Sequence, residues 1–344
     1  MTETFEVSER ARTIYRGSLV WDMTLPYGMQ HATDGVTLPR FKQAGFGVVS
    51  LTIGGDKTFG PDVALANIGK VYAVCARHPE LYRMVQGIED VDAARREGKL
   101  AITLNFQGTN VLANDLALVE VFYRLGVRHM LLAYNQKNLV GDGCAERTDA
   151  GLSRFGLAMI REMNRLGMLV DGTHSGHRTT MEAMDASALP CIFSHCNAYS
   201  VFPHYRNIKD DQIRKCAETG GVIGVNGLGE FLDDTEARSE SMFRHLEHIV
   251  NLVGVRHTGI GLDYVKDVAS FWRYVDDNPE AWPANHGKPN RHTRFAQPEQ
   301  VEELAELMCR KNYSEADIRS ILGGNFHRVC KHVWNQTSNQ GEKK

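Results

Sequence analysis

Apolar residues gather into eight short runs along the chain: LVWD (19–22), FGVVSLTI (46–53), LAITLNF (100–106), RHMLLAY (128–134), MLVDGTH (168–174), PCIFSHC (190–196), GVIGVNG (221–227) and HTGIGLDY (257–264). Most are continuously apolar rather than alternating, the pattern of parallel strands covered on both faces. Helix-period stretches separate them. In GLSRFGLAMIREMNRLG (151–167), Leu152, Phe155, Met159, Ile160, Met163 and Leu166 form one stripe, Arg161, Glu162 and Arg165 face outward, and Gly167 ends the helix. Further helices are expected at 61–77, 114–125, 178–187, 209–219, 239–253, 298–311 and 315–335, the last interrupted near Gly323 and Gly324. Eight strands alternating with helices over about 250 residues predict an α/β fold of the (β/α)8, TIM-like class. A doubly wound sheet would carry a GxGxxG turn after an early strand, and the chain has none. One domain, 1–344, is expected. Within it 266–295, which carries Trp272 and Trp282 in a Pro/Gly/Asn setting, reads as a loop over the barrel mouth, and 337–344 as a frayed tail.

Composition narrows the function. With 42% hydrophobic and 24% charged residues the chain is an ordinary globular one, and a net charge of −3 gives no basic footprint for nucleic acid. A small-molecule substrate is expected. The seven cysteines (Cys75, Cys144, Cys191, Cys196, Cys216, Cys309, Cys330) show no CxxC pairing and suit reduced thiols. The opening MTETFEVSERARTIYRG has no apolar stretch, and no run reaches the roughly 18 apolar residues of a membrane span. A cytoplasmic location without membrane contact is the expectation.

In such barrels chemistry sits where the strands end. Those positions hold Asp22 with Thr24, Asp56, Gln107, Tyr134 with Asn135, His174, His195, Asn226 and Asp263. Histidines ending two successive strands point to a metal site, because neutral imidazoles suit a divalent cation and oxygen ligands complete an open position. Satisfied structural histidines are the alternative. Asp263 suits a ligand or a proton carrier, and otherwise a loop anchor. Gln107 offers a carbonyl oxygen without charge. Cys144, in the loop after the fourth run, suits a thiolate ligand or nucleophile, or a small buried apolar residue; Asp142 and Glu146 suit a metal or a solvated loop. His177, His204, His286 and His292 fall in loops and are expected to be exposed, with His204 as a substrate contact. Thr173-His174-Ser175 lacks identifiable partners for a serine hydrolase.

The strings RFGLAMIREMNRLGMLVDGTHSG, PCIFSHCNAYSVFPHYRNIKDDQI, GGVIGVNG, VGVRHTGIGLDY and ILGGNFHRVCKHVW, in order, resemble the renal (membrane) dipeptidase family of zinc peptidases. The resemblance implies a TIM-like barrel with a two-metal centre and a homodimer. It puts His174 and His195 on the pair that holds one zinc, Arg206 on the arginine that grips the substrate carboxylate, and Asp263 on the aspartate beside the other zinc. Elsewhere the chain departs from the pattern. The His-x-Asp expected at the end of the first strand is Asp22-Met23-Thr24 or Thr24-Leu25-Pro26, the bridging glutamate is Gln107, and a substrate-facing histidine is Tyr134. An amide cannot offset two dications as a carboxylate does. One divalent metal per chain, zinc, is therefore expected on His174 and His195, supplemented by Gln107, Asp22 or Cys144. Asp263 and Tyr134 are the expected catalytic residues, and Arg206, Tyr134 and Asn135 the expected substrate contacts. The function expected is hydrolysis of a dipeptide or peptide-like amide in a small carboxylate-bearing substrate. A metal-free ligand-binding scaffold and a non-hydrolytic metal enzyme are the alternatives.

Overall fold

Each of the eight apolar runs becomes a strand in the computed structural model, which describes residues 5–56, 60–284 and 293–334. A ninth strand joins them. In chain order they are β1 (Val20–Leu25), β2 (Phe46–Gly55), β3 (Tyr82–Met84), β4 (Leu100–Gln107), β5 (Val127–Leu131), β6 (Leu169–Asp171), β7 (Cys191–Ile192), β8 (Ile223–Val225) and β9 (Thr258–Ile260). They pair in parallel in the order β7-β6-β5-β4-β2-β1-β9-β8. Phe193, just past β7, bridges Ile223 of β8; its N–H donates to the Val222 carbonyl at 3.0 Å, and the Gly224 N–H donates to its own carbonyl at 2.7 Å. These bonds close the ring into the expected (β/α)8 barrel.

The extra strand β3 pairs with the start of β4, Tyr82 opposite Leu100, below the stretch where β4 meets β5. Three residues between two helices are too few for a periodic signal, which is why the sequence pattern does not register it.

The expected helices form with ends shifted by a few residues. Arg154–Leu166 shows why: Ser153 Oγ accepts from the Gly156 N–H at 2.9 Å, Gly167 ends the helix at φ 75°, and Met159, Ile160, Met163 and Leu166 are buried at helical spacing. Each such side chain contributes about 1.5–3 kcal/mol on burial. Additional helices are Glu9–Gly17, Gly28–Thr33, Thr37–Gln43, Ile88–Arg96, Gly229–Leu232 and Val268–Asp277. The last corrects the reading of 266–295 as a loop. Asp267 caps it by accepting from the Ser270 N–H at 3.0 Å, and Phe271, Trp272 and Val275 are buried along one face. Residues 285–292 of that stretch and the tail 337–344 lie outside the described residues.

Trp21, Met23, Val48, Leu169, Ile192 and Val222 fill the lower end of the barrel, and the final helix Asn325–Trp334 closes it with Trp334 against Trp21, ring centroids 6.0 Å apart. The chain breaks before that helix at Gly323, as expected, where a Cβ would sit 2.1 Å from the Leu19 carbonyl oxygen. At the opposite end a separate cluster, including Phe231, Phe271, Trp272, Trp282 and Phe295, covers the mouth. No helix among the described residues is long and apolar enough to cross a membrane.

Closure leaves no room beside Ser194. A Cβ on Gly224 would lie 2.2 Å from the Ser194 carbonyl oxygen, and one on Gly261 would lie 1.9 Å from it. Gly261→Ala therefore forces two strand ends apart. We expect a loss of about 1–3 kcal/mol of unfolding free energy, measured by urea denaturation.

Candidate functional site

Two buried carboxylates turn the chain at the strand ends. Asp171, the last residue of β6, accepts through Oδ1 from the Thr173 N–H at 3.0 Å and the Ser194 N–H at 3.1 Å, so it fixes the backbone immediately before both His174 and His195. Its Oδ2 meets His129 Nδ1 at 3.1 Å, His129 Nε2 meets Ser50 Oγ at 3.0 Å, and Asn105 Nδ2 donates to the same hydroxyl at 2.9 Å. This polar belt spans β2, β4, β5 and β6 beneath the mouth. Burial pushes the Asp171 carboxyl up, but the hydrogen bond and charge of His129 more than offset it and hold the group below its ordinary range. Asp22 plays the same part between β1 and β9. Its Oδ1 accepts from Leu262 N–H at 2.9 Å and Thr24 N–H at 3.2 Å, while Oδ2 is buried without a protein partner and burial raises the group to about 8.

Above this floor the two expected histidines converge, His174 Nε2 lying 3.0 Å from His195 Nε2. Each is oriented from behind. His174 Nδ1 is 2.6 Å from Asn135 Oδ1, and Asn135 in turn donates through Nδ2 to the Ala281 carbonyl at 2.9 Å. An acceptor at Nδ1 places the proton there and leaves the Nε2 lone pair facing inward. His195 Nδ1 lies between Ser194 Oγ at 2.8 Å and Thr24 Oγ1 at 3.0 Å, hydroxyls that can donate or accept. Burial first, then the Arg206 charge, holds both imidazoles well below their ordinary value and so neutral.

Arg206 reaches the pair from the loop after β7. That loop is pinned by pairing of Ala198 with Ile208, and the Asn207 amide donates to the Phe202 and Phe231 carbonyls, both at 2.9 Å. The guanidinium is buried, packs over the Phe231 ring at 5.1 Å, and donates through Nη2 to His174 Nε2 at 3.1 Å. Its Nε has no partner, and no described carboxylate forms an ion pair with it. A buried cation left in this state suits an incoming anion.

The remaining expected residues surround a second volume. Tyr134 stacks on His174, centroids 4.0 Å apart and 22° between planes, and it also lines a cavity of about 170 Å³ beside the histidine pair. Gln107, Asp263 and Asp56 line that cavity with Tyr27, Phe271, Tyr274 and Trp282. Gln107 Nε2 is buried without a protein partner. Asp263 accepts from Asn226 Nδ2 at 3.1 Å, and burial, partly offset by Arg206 and Asn226, raises it to about 7. Burial likewise holds the Tyr134 phenol well above its usual value.

Other candidates serve the scaffold. Asp56 accepts from Asn110 N–H at 2.8 Å, Tyr134 N–H at 3.0 Å and Asn138 Nδ2 at 2.9 Å, tying three loops together. Asp142 accepts from Thr148 Oγ1 at 2.5 Å and Ala150 N–H at 2.7 Å, and Glu146 Oε1 from its neighbour's N–H at 2.9 Å. Cys144 Sγ faces Asn135 Oδ1 at 3.4 Å, and burial raises its thiol. Asn226 Oδ1 accepts from Leu228 N–H at 2.6 Å, closing a turn behind Asp263. His177 starts the helix His177–Ala186 and pairs with Asp211 at 2.7 Å. His204 corrects an expectation: it is 1% exposed rather than open, stacked with Tyr205 at 4.6 Å, and its Nδ1 accepts from Arg206 N–H at 3.1 Å, so it shapes the arginine loop. His286 and His292 lie outside the described residues.

Sequence reading missed the His129–Asp171 pair, Ser194 and the aromatic wall. The signal for the pair was present: a charged residue inside an otherwise apolar strand requires a buried partner.

A divalent cation can be tested against this geometry. Two neutral imidazole nitrogens 3.0 Å apart, each anchored at its far nitrogen, suit one shared ion, since bonds of about 2.0 Å at a tetrahedral angle span about 3.3 Å. Among the described residues no cluster of three or more His, Cys, Asp or Glu forms, so the protein offers two nitrogens and leaves the other positions to Gln107, water or substrate. The lone pair a cation would take at His174 is the one Arg206 occupies.

The comparisons agree with this layout. A family model described as membrane dipeptidase (peptidase family M19) matches residues 22–278. An uncharacterized dipeptidase, C965.12, of Schizosaccharomyces pombe is 37% identical over 270 residues, 75% of this chain and 59% of that protein. Dipeptidase tcpJ of Claviceps purpurea is 29% identical over 269 residues, 76% of this chain and 58% of that protein. The chain thus spans under two thirds of the length of these curated relatives. Among solved structures, an amidohydrolase from Pseudomonas aeruginosa superposes with a TM-score of 0.83 at 26% identity, covering 95% of this chain and 99% of that one. A metallo peptidase from Rhodobacter sphaeroides, liganded with a phosphinate mimic of L-Ala-D-Ala, has the same fold: TM-score 0.77, 19% identity, 92% and 100% covered.

Because a guanidinium and a cation compete for one lone pair, Arg206→Met is expected to tighten zinc binding about tenfold or more, and His195→Ala to abolish it. Isothermal titration of metal-stripped protein with zinc measures both.

Proposed function

The chain belongs to the membrane dipeptidase family, and from that premise we propose that it is a metal-dependent hydrolase. Its substrate in this reading is a dipeptide or peptide-like amide carrying a carboxylate, and it uses one divalent metal, zinc, per chain. The observation that carries the proposal is the convergence of two neutral, rear-anchored histidines beside a buried arginine without a carboxylate partner. A single metal follows from charge. Gln107 is neutral and the Asp22 carboxylate spends one oxygen on two backbone N–H groups, so little negative charge is left to offset a second dication.

When bound, the cation supplies Lewis acidity toward the scissile carbonyl and acidifies water. The chain's own residues do the rest. Arg206 binds the substrate carboxylate, with its planar fork suited to two parallel hydrogen bonds. Asp263 takes the proton from the attacking water and passes it to the leaving nitrogen as the C–N bond breaks. Tyr134, kept protonated by burial, donates to the developing oxyanion. Asn135 has both ends of its amide committed, to His174 and to Ala281, so we assign it to orienting His174.

A second reading, a scaffold that binds a carboxylate ligand without metal, is favoured by the Arg206–His174 contact. Metal content of protein purified without added metal separates the two: about one equivalent supports the first, none the second.

With zinc, manganese or iron added, His174→Ala and His195→Ala are expected to lose at least about a hundredfold in kcat/KM on a panel of dipeptides and N-acyl amino acids. Full activity in either variant would falsify the proposal. The pH profile offers a separate check. Asp263 must be ionised to accept a proton and titrates at about 7, so kcat/KM should rise from acid through neutral pH, and Asp263→Asn should lower kcat and remove that limb.

A further inference from the structure

The cavity beyond Tyr134 has an unusual lining for a site that must receive a polar substrate. Five aromatic side chains, Tyr27, Tyr134, Phe271, Tyr274 and Trp282 among them, make its walls. Among the described residues its ionisable side chains besides the tyrosines are Asp56 and Asp263, and no described lysine, arginine or histidine lines it. The rings are arranged around the space rather than stacked into a plug. Trp282 stands edge-on to Phe271, centroids 5.7 Å apart at 84°, and is tilted 68° to Tyr134 at 6.1 Å. Tyr27 reaches the opposite side from a residue held at φ 53° and keeps about a third of its surface exposed, at the rim. Tyr27, Tyr134, Tyr274 and Asp263 line one volume, and Tyr27, Tyr274, Asp263 and Arg206 all act electrostatically on the Tyr134 phenol.

Such walls select against an ordinary ammonium group. A primary ammonium is best held by three hydrogen-bond acceptors; the ring faces supply none, and the phenol oxygens of Tyr27, Tyr134 and Tyr274 lie only at ring edges. Asp56 has already given its oxygens to three donors, and Gln107 Nε2 is itself a donor. Of the two lining carboxylates, Asp263 is the one that keeps an oxygen receiving no hydrogen bond from the described residues. A methylated ammonium asks for less: its charge is diffuse, its methyl groups pack on aromatic faces, and the ring quadrupoles attract it. One carboxylate at the edge then suffices for charge. Arg206, on His174 beside the same tyrosine, acts electrostatically on both Tyr134 and Asp263 and suits an anion.

Resting on the hydrolase reading above, we propose that the cavity bounded by Tyr27, Tyr134, Phe271, Tyr274, Trp282 and Asp263 is a cage for an N-methylated ammonium. The preferred substrate is then a small zwitterion whose methylated amine enters this cage and whose carboxylate meets Arg206.

Three probes that share one carboxymethyl skeleton test this by isothermal titration calorimetry on the full chain. Glycine betaine carries the trimethylammonium and a carboxylate, 3,3-dimethylbutanoate has the same shape without the positive charge, and glycine has the charge without the methyl groups. Glycine betaine is expected to bind at least tenfold more tightly than either. Trp282→Leu and Tyr27→Leu are expected to weaken it at least tenfold, while Tyr27→Phe and Trp282→Phe, which keep a ring, retain most of the binding; thermal melting confirms that each variant is folded. Equal binding of 3,3-dimethylbutanoate makes the cavity merely apolar, equal binding of glycine makes it an ordinary ammonium site, and no binding of any probe means no cage; each overturns the proposal. Binding is read without turnover. Betaine binding with no hydrolysis of N-methylated or plain dipeptides therefore sinks the hydrolase reading alone, and hydrolysis of plain dipeptides with no betaine binding sinks the cage alone.

Discussion

The site hangs on a carboxylate that faces no solvent. Asp171 is fully buried, and an isolated carboxylate there would cost several kcal/mol. Two backbone N–H donors and His129 offset that cost, and the two donors belong to the residues just before the convergent histidines. The directions of His174 and His195 are thus consequences of one hydrogen-bonded anion. Asp22 repeats the device across the barrel, setting Thr24, which backs His195, and Leu262, which precedes Asp263. The two carboxylates differ in partner. Asp171 has an imidazole and stays below its ordinary range, so its contribution to stability is lost as the pH falls. Asp22 has no cation and rises to about 8, so what it contributes is present below its ordinary 3.8 and fades as the pH climbs through 8.

Strain concentrates on the same residues. His174 (φ 65°), Asn135 (φ 59°), Asp263 (φ 56°) and Tyr27 (φ 53°) all sit in the left-handed region, where a residue other than glycine costs on the order of 1–3 kcal/mol. Each is over-determined by its surroundings: His174 by Asn135, Arg206 and the Tyr134 ring, and Asp263 by Asn226 and a bond from its N–H to the Thr24 carbonyl at 3.2 Å. Side chains delivered this way reach the mouth within two to four residues of a strand end.

How much of this could be read from the chain follows from range. The barrel was legible because parallel strands buried on both faces leave continuous apolar runs, and every one of the eight lies in the closed ring. The convergence of His174 and His195 was legible because strand ends share one rim. Interactions between distant segments were not. His129 and Asp171 are 42 residues apart, and both lie inside the apolar runs 128–134 and 168–174 rather than at their ends, so reasoning from run ends does not reach them. Val268–Asp277 was taken for loop because proline, glycine and asparagine further along the same stretch masked a short amphipathic turn capped by Asp267. The aromatic cavity draws on residues from 27, 134 and 271 to 282, and no local pattern joins them. His204 looked like an exposed loop residue because its loop folds inward under Phe231 and Tyr205, a tertiary outcome.

Charge gives the two halves of the site a common logic. On one side Arg206 and the histidine pair are short of negative charge; on the other Asp263 faces rings that favour a cation. A dication on the histidines needs the lone pair that Arg206 holds, and a carboxylate ligand is what draws the guanidinium toward itself. Ligand and metal therefore each favour the arrangement the other requires, and by linkage the coupling must be equal in both directions. In a centre with its full set of carboxylates the protein would neutralise the metal alone. Here Gln107 is neutral and Asp22 gives one oxygen to two backbone N–H groups, so in the function proposed the substrate's own carboxylate would be part of the charge balance for the cation. On that proposal, the affinity of the histidine pair for a cation would depend on what else occupies the site.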